Sequence, residues 1–108
     1  MDLAFNSEPL RTLCEKYAVA KHELGEETAD ALIGRLADLR AAFSIEELVA
    51  GHPRFLPEAT KPTVIVDLTP GYQLSFCANH VTNPVTENGE LDWTRISRIK
   101  ILDIGRTP

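Results

Sequence analysis

Apolar side chains recur with a helical period in the first half of this chain and alternate with polar ones in the second half. The alternation of Met1, Leu3 and Phe5 predicts a short first strand. Ser7 is suited to cap the helix that follows, and Gly25 interrupts the helical pattern. The predicted apolar stripe of this helix is Leu10, Leu13, Cys14 and Tyr17.

A second helix is predicted from about residue 28 to residue 43, and a shorter helix follows it. Ser44 and Glu47 have the spacing of a capping box, which predicts that the short helix begins there and ends at Gly51. Three prolines in the stretch 52–62 exclude regular structure from it. The predicted apolar stripe of the second helix is Ala29, Leu32, Ile33, Leu36, Leu39 and Phe43.

Three β-rich runs predict strands at about residues 63–68, 72–78 and 95–104. The turn Thr69-Pro70-Gly71 predicts a hairpin between the first two, and the long loop 79–92 precedes the third. The order β-α-α-β-β-β predicts a single α+β domain of 108 residues. In it, two antiparallel helices cover one face of a small, mostly antiparallel sheet. The predicted core is Leu32, Leu36, Leu74, Phe76, Ile99 and Ile101.

Composition agrees with one folded domain, because 44% of the residues are hydrophobic and charges of both signs are mixed. No apolar run approaches the roughly 20 residues that span a bilayer. The first residues lack the basic and apolar regions of a signal peptide. A cytoplasmic protein without membrane contact is therefore expected. Cys14 and Cys77 lie in apolar contexts, which favours buried thiols over a disulfide or a metal pair, and no motif indicates a cofactor.

The net charge of −5 is unevenly distributed. Residues 1–53 hold 5 basic and 10 acidic side chains, whereas residues 54–108 hold 6 of each. A protein gains affinity for RNA by neutralising phosphates with cations, so the acidic helical half is a poor RNA-binding surface. Contact with nucleic acid, if the protein makes any, is expected on the C-terminal sheet.

Several segments in a characteristic order resemble a known family. They are Leu13-Cys14, Arg35–Ala42, Tyr72–Phe76, Gly89–Thr94 and Ile99–Ile104. Together they span nearly the whole chain and are similar to the RelE/ParE toxin superfamily, in particular to its HigB-like (killer protein) subgroup of type II toxin–antitoxin systems. The resemblance implies a RelE/ParE-like fold and a bacterial mRNA interferase, a metal-independent endoribonuclease that acts on ribosome-bound mRNA. It also implies a complex with a helix-turn-helix antitoxin.

The chain departs from the pattern of this family where the chemistry is expected. Gln73 occupies the position of a strand arginine that commonly contacts RNA phosphate, and Arg54 falls where the family usually has a histidine. The loop 58–62, usually basic, has Lys61 as its one cation. The chain ends in residues 105–108, Gly-Arg-Thr-Pro, where the family usually has Asp-Tyr-His. The hypothesis that follows is weakened or lost RNA cleavage.

Six residues are candidates for a nucleic-acid site. A metal-independent ribonuclease must remove the proton of a ribose 2′-hydroxyl, stabilise the phosphate with cations and protonate the leaving oxygen. The catalytic candidates are Arg54, Lys61 and His80. The RNA-binding candidates are Gln73, Arg98 and Lys100. For each of them a solvated surface position is the alternative, and Arg98 and Lys100 are expected to share a strand face with Leu102 and Ile104.

Two further residues have alternative interpretations. Cys77 and His80 have a spacing compatible with metal ligation, but no second pair supplies the remaining ligands, so no metal site is predicted. Trp93 is either a packing lid over the sheet or an exposed contact. Packing is favoured because Leu91 precedes it with a two-residue spacing.

Three functions remain open from the sequence. The first is a HigB-like toxin with weakened or lost mRNA cleavage. The second is a non-catalytic, toxin-like binding module that complexes a helix-turn-helix antitoxin. The third is a stand-alone scaffold or oligomerisation domain. An adjacent gene for a small helix-turn-helix protein would favour the first two over the third.

Overall fold

The computed structural model describes residues 1–56 and 61–107 of the chain and shows an α+β domain with a five-stranded mixed sheet. The strands are β1 (Asp2–Phe5), β2 (Arg54–Phe55), β3 (Thr63–Thr69), β4 (Tyr72–Ala78) and β5 (Arg98–Arg106). The helices are α1 (Glu8–Glu15), α2 (Tyr17–Leu24) and α3 (Glu26–Ala41). In the described ranges, no helix has the length and apolar character needed to cross a membrane.

The sheet has the strand order β1-β5-β4-β3-β2. The pair β1–β5 is parallel, and the other three pairs are antiparallel, so the expectation of a mostly antiparallel sheet is confirmed. The predicted hairpin between β3 and β4 is also confirmed. The last strand begins three residues later than predicted, because a 3₁₀ turn occupies Trp93–Arg95.

The first predicted helix is two helices, which corrects the expectation of two helices in all. The chain becomes extended at Lys16, whose N–H donates to the Thr12 carbonyl and closes α1. This break lets α1 contact β1 while α2 packs on α3 with Ala20 buried, which one straight helix could not do. Tyr17 therefore leaves the predicted stripe and is exposed, and its hydroxyl donates to the Asp30 carboxylate.

The predicted apolar stripe of α3 is wrong at two of its residues, which are exposed. Ile33 is 48% exposed, because it lies about 100° around the helix from its buried neighbour Leu32. Phe43 is 86% exposed, because α3 ends at Ala41 and the helical period ends with it. The remaining predicted members are buried: Ala29, Leu32, Leu36 and Leu39.

The predicted short helix after α3 is also wrong. The chain forms a 3₁₀ turn at Ile45–Glu47, and the Glu47 carboxylate accepts the N–H of Phe43 rather than that of Ser44. Gly51 does not end a helix; its carbonyl accepts the N–H of Asp67, at an N···O distance of 2.6 Å, along the edge of β3. Just beyond it, β2 forms between two prolines, so the expectation that residues 52–62 lack regular structure is wrong at Arg54–Phe55. Residues 58–60 of the predicted loop, like Pro108, lie outside the described residues.

The core lies between α3 and the sheet, and all six predicted core residues are at most 1% exposed. Trp93 packs against this core and against the ring of Phe55, with ring centroids 5.5 Å apart, so the predicted packing of Trp93 is confirmed. The 3₁₀ turn that contains it also contacts the 3₁₀ turn Ile45–Glu47. These two turns close one end of the core.

A bulge in β5 changes which side chains share a face. Phe76 pairs with Ile101, but Ser75 pairs with Asp103, so Leu102 is an extra residue in β5. Ile104 is consequently opposite Leu74 and packs against the core. Arg98 and Lys100 alternate with the buried Ile99 and Ile101 and therefore lie on the other face. The expectation that they share a face with Ile104 is wrong.

The two cysteines are free thiols, Cys77 buried and Cys14 half-buried. Burial raises the pKa of Cys14 from 9.0 to about 11. Because the thiolate is the reactive form but a thiolate of higher pKa is also more nucleophilic, we expect Cys14 near pH 8 to react about tenfold more slowly in the folded protein than in the unfolded chain. The rate of thiol–disulfide exchange with Ellman's reagent measures this directly in a Cys77→Ser variant, with and without denaturant. Equal rates in the two states would contradict the burial of Cys14.

Candidate functional site on the outer face of the sheet

The face of the sheet that points away from the helices carries most of the candidate residues. Strand alternation and register assign its members, and we call it the outer face: Asp2, Ala4, Arg54, Thr63, Ile65, Asp67, Gln73, Ser75, Cys77, Arg98, Lys100, Asp103 and Gly105. Thr63, Ile65 and Cys77 are nevertheless buried, so part of this face is not freely exposed. Its charged side chains lie around these buried positions.

The structure divides the six candidates into two groups at opposite ends of β4. Near the β3–β4 turn, Gln73 pairs with Asp67, which binds Arg54. We call this the hairpin end. At the other end, Cys77 pairs with Lys100, and we call this the loop end because the loop 79–92 follows it. The two ends are about 13 Å apart, because four residues of an extended strand separate Gln73 from Cys77.

The loop end holds the other four candidates. Lys61 is exposed and lines a pocket with Cys77 and the loop residues Asn83, Val85 and Leu91. The other three candidates at this end are His80, Arg98 and Lys100. The His80 ring accepts a hydrogen bond from the backbone N–H of Arg98, so His80 lies at the beginning of β5. These four candidates therefore lie around a different point of the outer face from Gln73 and Arg54.

Arginines on this face are held by carboxylates. A terminal nitrogen of Arg54 lies 3.0 Å from Asp67 Oδ1, and its other terminal nitrogen donates to the His52 carbonyl. Arg98 Nε lies 3.9 Å from Asp2 Oδ2. Such exposed pairs contribute at most about 1 kcal/mol to stability. Their main consequence is electrostatic, since each carboxylate offsets the cation that would otherwise attract a phosphate.

The charges of the outer face cancel as a whole. Its cations are Arg54, Arg98 and Lys100, and its carboxylates are Asp2, Asp67 and Asp103. Among the described residues, no carboxylate oxygen lies within 4.0 Å of Lys100. Within the same residues, no three His, Cys, Asp or Glu side chains are grouped so that they could hold a metal ion.

His80 has a structural role in this arrangement. Its Nε2 lies 3.0 Å from the backbone nitrogen of Ser97 and 3.2 Å from that of Arg98. A backbone N–H can only donate, so Nε2 is the acceptor and the ring proton of the neutral imidazole is on Nδ1. The Asn83 side chain accepts the N–H of His80 and fixes the turn that positions the ring. With Nε2 occupied, His80 cannot use that atom as the general base of a ribonuclease.

We expect His80→Ala to lower the free energy of unfolding by about 0.5–1.5 kcal/mol, because two backbone donors at the beginning of β5 lose their acceptor. His80→Gln is the matched control, since its side-chain oxygen can reach the position of Nε2. The urea midpoint, followed by the fluorescence of Trp93, the chain's one tryptophan, measures both effects. A His80→Ala midpoint equal to that of the native protein would contradict the structural role.

Two shifted pKa values belong to residues outside this face. A hydrogen bond to the Asp30 carboxylate raises the pKa of Tyr17 to about 12. Hydrogen bonds from Thr94 and Arg95 lower the pKa of Asp92. Arg95 also donates to the Val85 carbonyl, so Asp92 and Arg95 together fasten the long loop to the 3₁₀ turn before β5. Their pKa shifts therefore have a structural cause.

Sequence reasoning missed the carboxylates that hold the arginines. Asp67 is recognisable as a solvent-facing strand residue, but its partner Arg54 lies on β2, a strand of only two residues between prolines. Asp2 meets Arg98 because β1 is parallel to β5, which no local pattern indicates. One feature of the sequence could have indicated these pairs: single acidic residues occupy outward-facing positions of the predicted strands.

Comparison with known proteins does not add to this picture. No family model, no curated protein and no solved structure matched the chain at a significant level. The geometry by itself offers a charge-balanced surface with its cations divided between two ends.

Proposed function

We propose that this protein is a HigB-like, RelE/ParE-type toxin homologue that binds a helix-turn-helix antitoxin-like partner and has weak or no mRNA endoribonuclease activity. The segments that resemble the family suggest the type of protein. The separation of the candidate residues into two ends of the outer face supports the loss of cleavage, and it is the observation that carries the proposal.

Cleavage requires a base, a fixed cation and an acid around one phosphate. At the hairpin end, Gln73 is uncharged and Arg54 is bound to Asp67. At the loop end, His80 uses Nε2 to hold backbone amides, and Arg98 lies beside Asp2. Lys100 contributes a cation there but cannot serve all three roles. This arrangement favours the binding module over an efficient ribonuclease.

RNA cleavage is tested with purified protein in a translating extract, by mapping mRNA ends with primer extension. We expect no cleavage, or cleavage far weaker than that of an active mRNA interferase assayed in parallel. Efficient cleavage within ribosome-bound mRNA would overturn this part of the proposal. In that case Arg54→Ala and Lys100→Ala would show which end of the outer face performs the chemistry.

Partner binding is tested by co-expression with the product of the neighbouring gene, followed by size-exclusion chromatography. The acidic helical half, with 10 acidic against 5 basic residues in positions 1–53, is expected to attract a basic partner. We therefore expect one complex whose association slows as salt rises. Two separate species at micromolar concentration would instead favour the stand-alone scaffold.

A further inference from the structure

Exposed apolar side chains are concentrated in one short segment of this protein. Of the eight exposed large hydrophobic residues in the described part of the chain, four lie between positions 43 and 56. They are Phe43 (86% exposed), Val49 (85%), Phe55 (55%) and Leu56 (41%). Scattered exposed apolar residues are normal, but a concentration of this kind is typical of a contact surface.

A groove lies within this segment, where α3 ends and the following 3₁₀ turn folds back. It has a volume of about 330 Å³, and its lining is Asp38, Ala41, Ala42, Glu47, Leu48, Val49 and Ala50. Phe43 directly follows one wall of the groove, and its N–H donates to the Glu47 carboxylate on the other wall at 2.8 Å. This hydrogen bond links the end of one wall to the other wall.

The apolar surface continues from the groove toward the sheet. The 3₁₀ turn Ile45–Glu47 contacts the turn Trp93–Arg95, and Trp93 packs against Phe55. These contacts connect the segment that carries Phe43 and Val49 to Phe55. We call the groove together with these three side chains the 43–55 surface.

The charges that line this groove are of one sign. Asp38 and Glu47 are its two charged lining residues, and both are carboxylates. Asp38 is already paired with Arg35 at 3.2 Å, so Glu47, for which the described residues show no ion pair, is the uncompensated carboxylate of the groove. A second copy of this chain would bring two Glu47 carboxylates against each other, whereas a basic partner would complement this charge.

We propose that the 43–55 surface docks an amphipathic helix of a basic partner protein, with an apolar side chain in the groove and Lys or Arg beside Glu47. This inference rests on the proposed function, because it names the surface through which the partner is bound. An apolar anchor surrounded by charged groups is the usual form of a helix-in-groove contact. The outer face of the sheet takes no part in this contact.

The surface is tested first with a displayed library of random peptides selected on the immobilised protein. We expect enriched peptides that combine aromatic or aliphatic residues with Lys or Arg, and that bind the double variant Phe43→Ser/Val49→Ser at least tenfold more weakly. Val81→Ser, which removes a valine that is 100% exposed on the long loop, is the matched control and should bind normally. Because these side chains are exposed, the double variant should keep its fold, which circular dichroism verifies.

The charge complementarity is tested with Glu47→Gln, which removes the charge but keeps an acceptor for the Phe43 N–H. We expect it to weaken binding of the basic peptides several-fold at low salt, with a smaller difference at high salt. Glu87→Gln, the same change on the exposed loop, should have no effect. Enriched peptides that are acidic, or that bind the double variant as tightly as the native protein, would overturn the inference, and so would failure to enrich any peptide.

The peptide probe keeps this inference separate from the proposed function. If the product of the neighbouring gene fails to bind but the peptides behave as expected, the proposed function falls and the 43–55 surface stands. If that protein binds the double variant and the native chain equally, the proposed function stands and the surface is wrong. Self-association of the native chain that the double variant abolishes would assign the surface to a second copy and overturn the basic partner.

Discussion

Replacing Leu36 by alanine is expected to lower the free energy of unfolding by about 2–5 kcal/mol. Leu36 is 1% exposed and belongs to the buried cluster between α3 and the sheet, which also contains Val66 and Phe76. Alanine removes the buried methyl groups and leaves a cavity that the surrounding strands can fill only in part. A loss of this size is a large fraction of the stability of a small domain.

Urea denaturation followed by the fluorescence of Trp93 measures this loss. Ile33→Ala is the matched control, because Ile33 lies on the same helix and is 48% exposed. Its effect should stay below about 1 kcal/mol, since little apolar surface returns to water. If both substitutions shift the urea midpoint equally, the core is not where the structure places it.

Gly51→Ala should destabilise the protein by about 2–5 kcal/mol through two independent costs. The first is conformational, since the φ of Gly51 is +83°, where a side chain is strained. The second is steric, because a Cβ at this position would overlap Cγ1 of Val66 and lie 2.7 Å from the carbonyl oxygen of Asp67. The backbone of β3 is part of the sheet and cannot move aside cheaply.

Gly71→Ala separates the two costs. Gly71 also has a positive φ, +100°, but no heavy atom lies within 4 Å of a Cβ built there. It should therefore cost only the conformational part, about 1–2 kcal/mol. Denaturation midpoints of the two variants, compared with the native protein, give the steric cost as their difference. Equal midpoints would mean that the segment around Gly51 does not press against β3.

The close approach at Gly51 also positions a candidate residue. The bond from the Asp67 N–H to the Gly51 carbonyl sets the path of the chain along the edge of β3. Three residues later Arg54 enters β2 and reaches the Asp67 side chain. A substitution that displaces Gly51 is therefore expected to loosen the Arg54–Asp67 pair as well as to destabilise the fold.

The location of the candidate site was predictable from the sequence, but the faces of some β5 residues and the ion pairs of its arginines were not. The distribution of cations indicates the C-terminal sheet, and Gln73, Arg98 and Lys100 do lie on one face of it. Strand alternation alone, however, places Ile104 on the face of Lys100, because the extra residue at Leu102 leaves no mark in the local pattern. The ion pairs that offset Arg54 and Arg98 are equally invisible, since their partners are far away along the chain.

What the sequence determined by itself is the central part of the buried core and the local hairpin. Leu32 and Leu36 recur at helical spacing, and Leu74 and Phe76 alternate with polar residues. Each pair therefore lies on one face of its element, and that face must be buried against some other part of the chain. Tertiary structure decided the break at Lys16, the parallel position of β1 beside β5, the short strand β2 and the bulge in β5. Each of these depends on contacts between residues distant in sequence, whose free energies outweigh the weak local preferences of the segments involved.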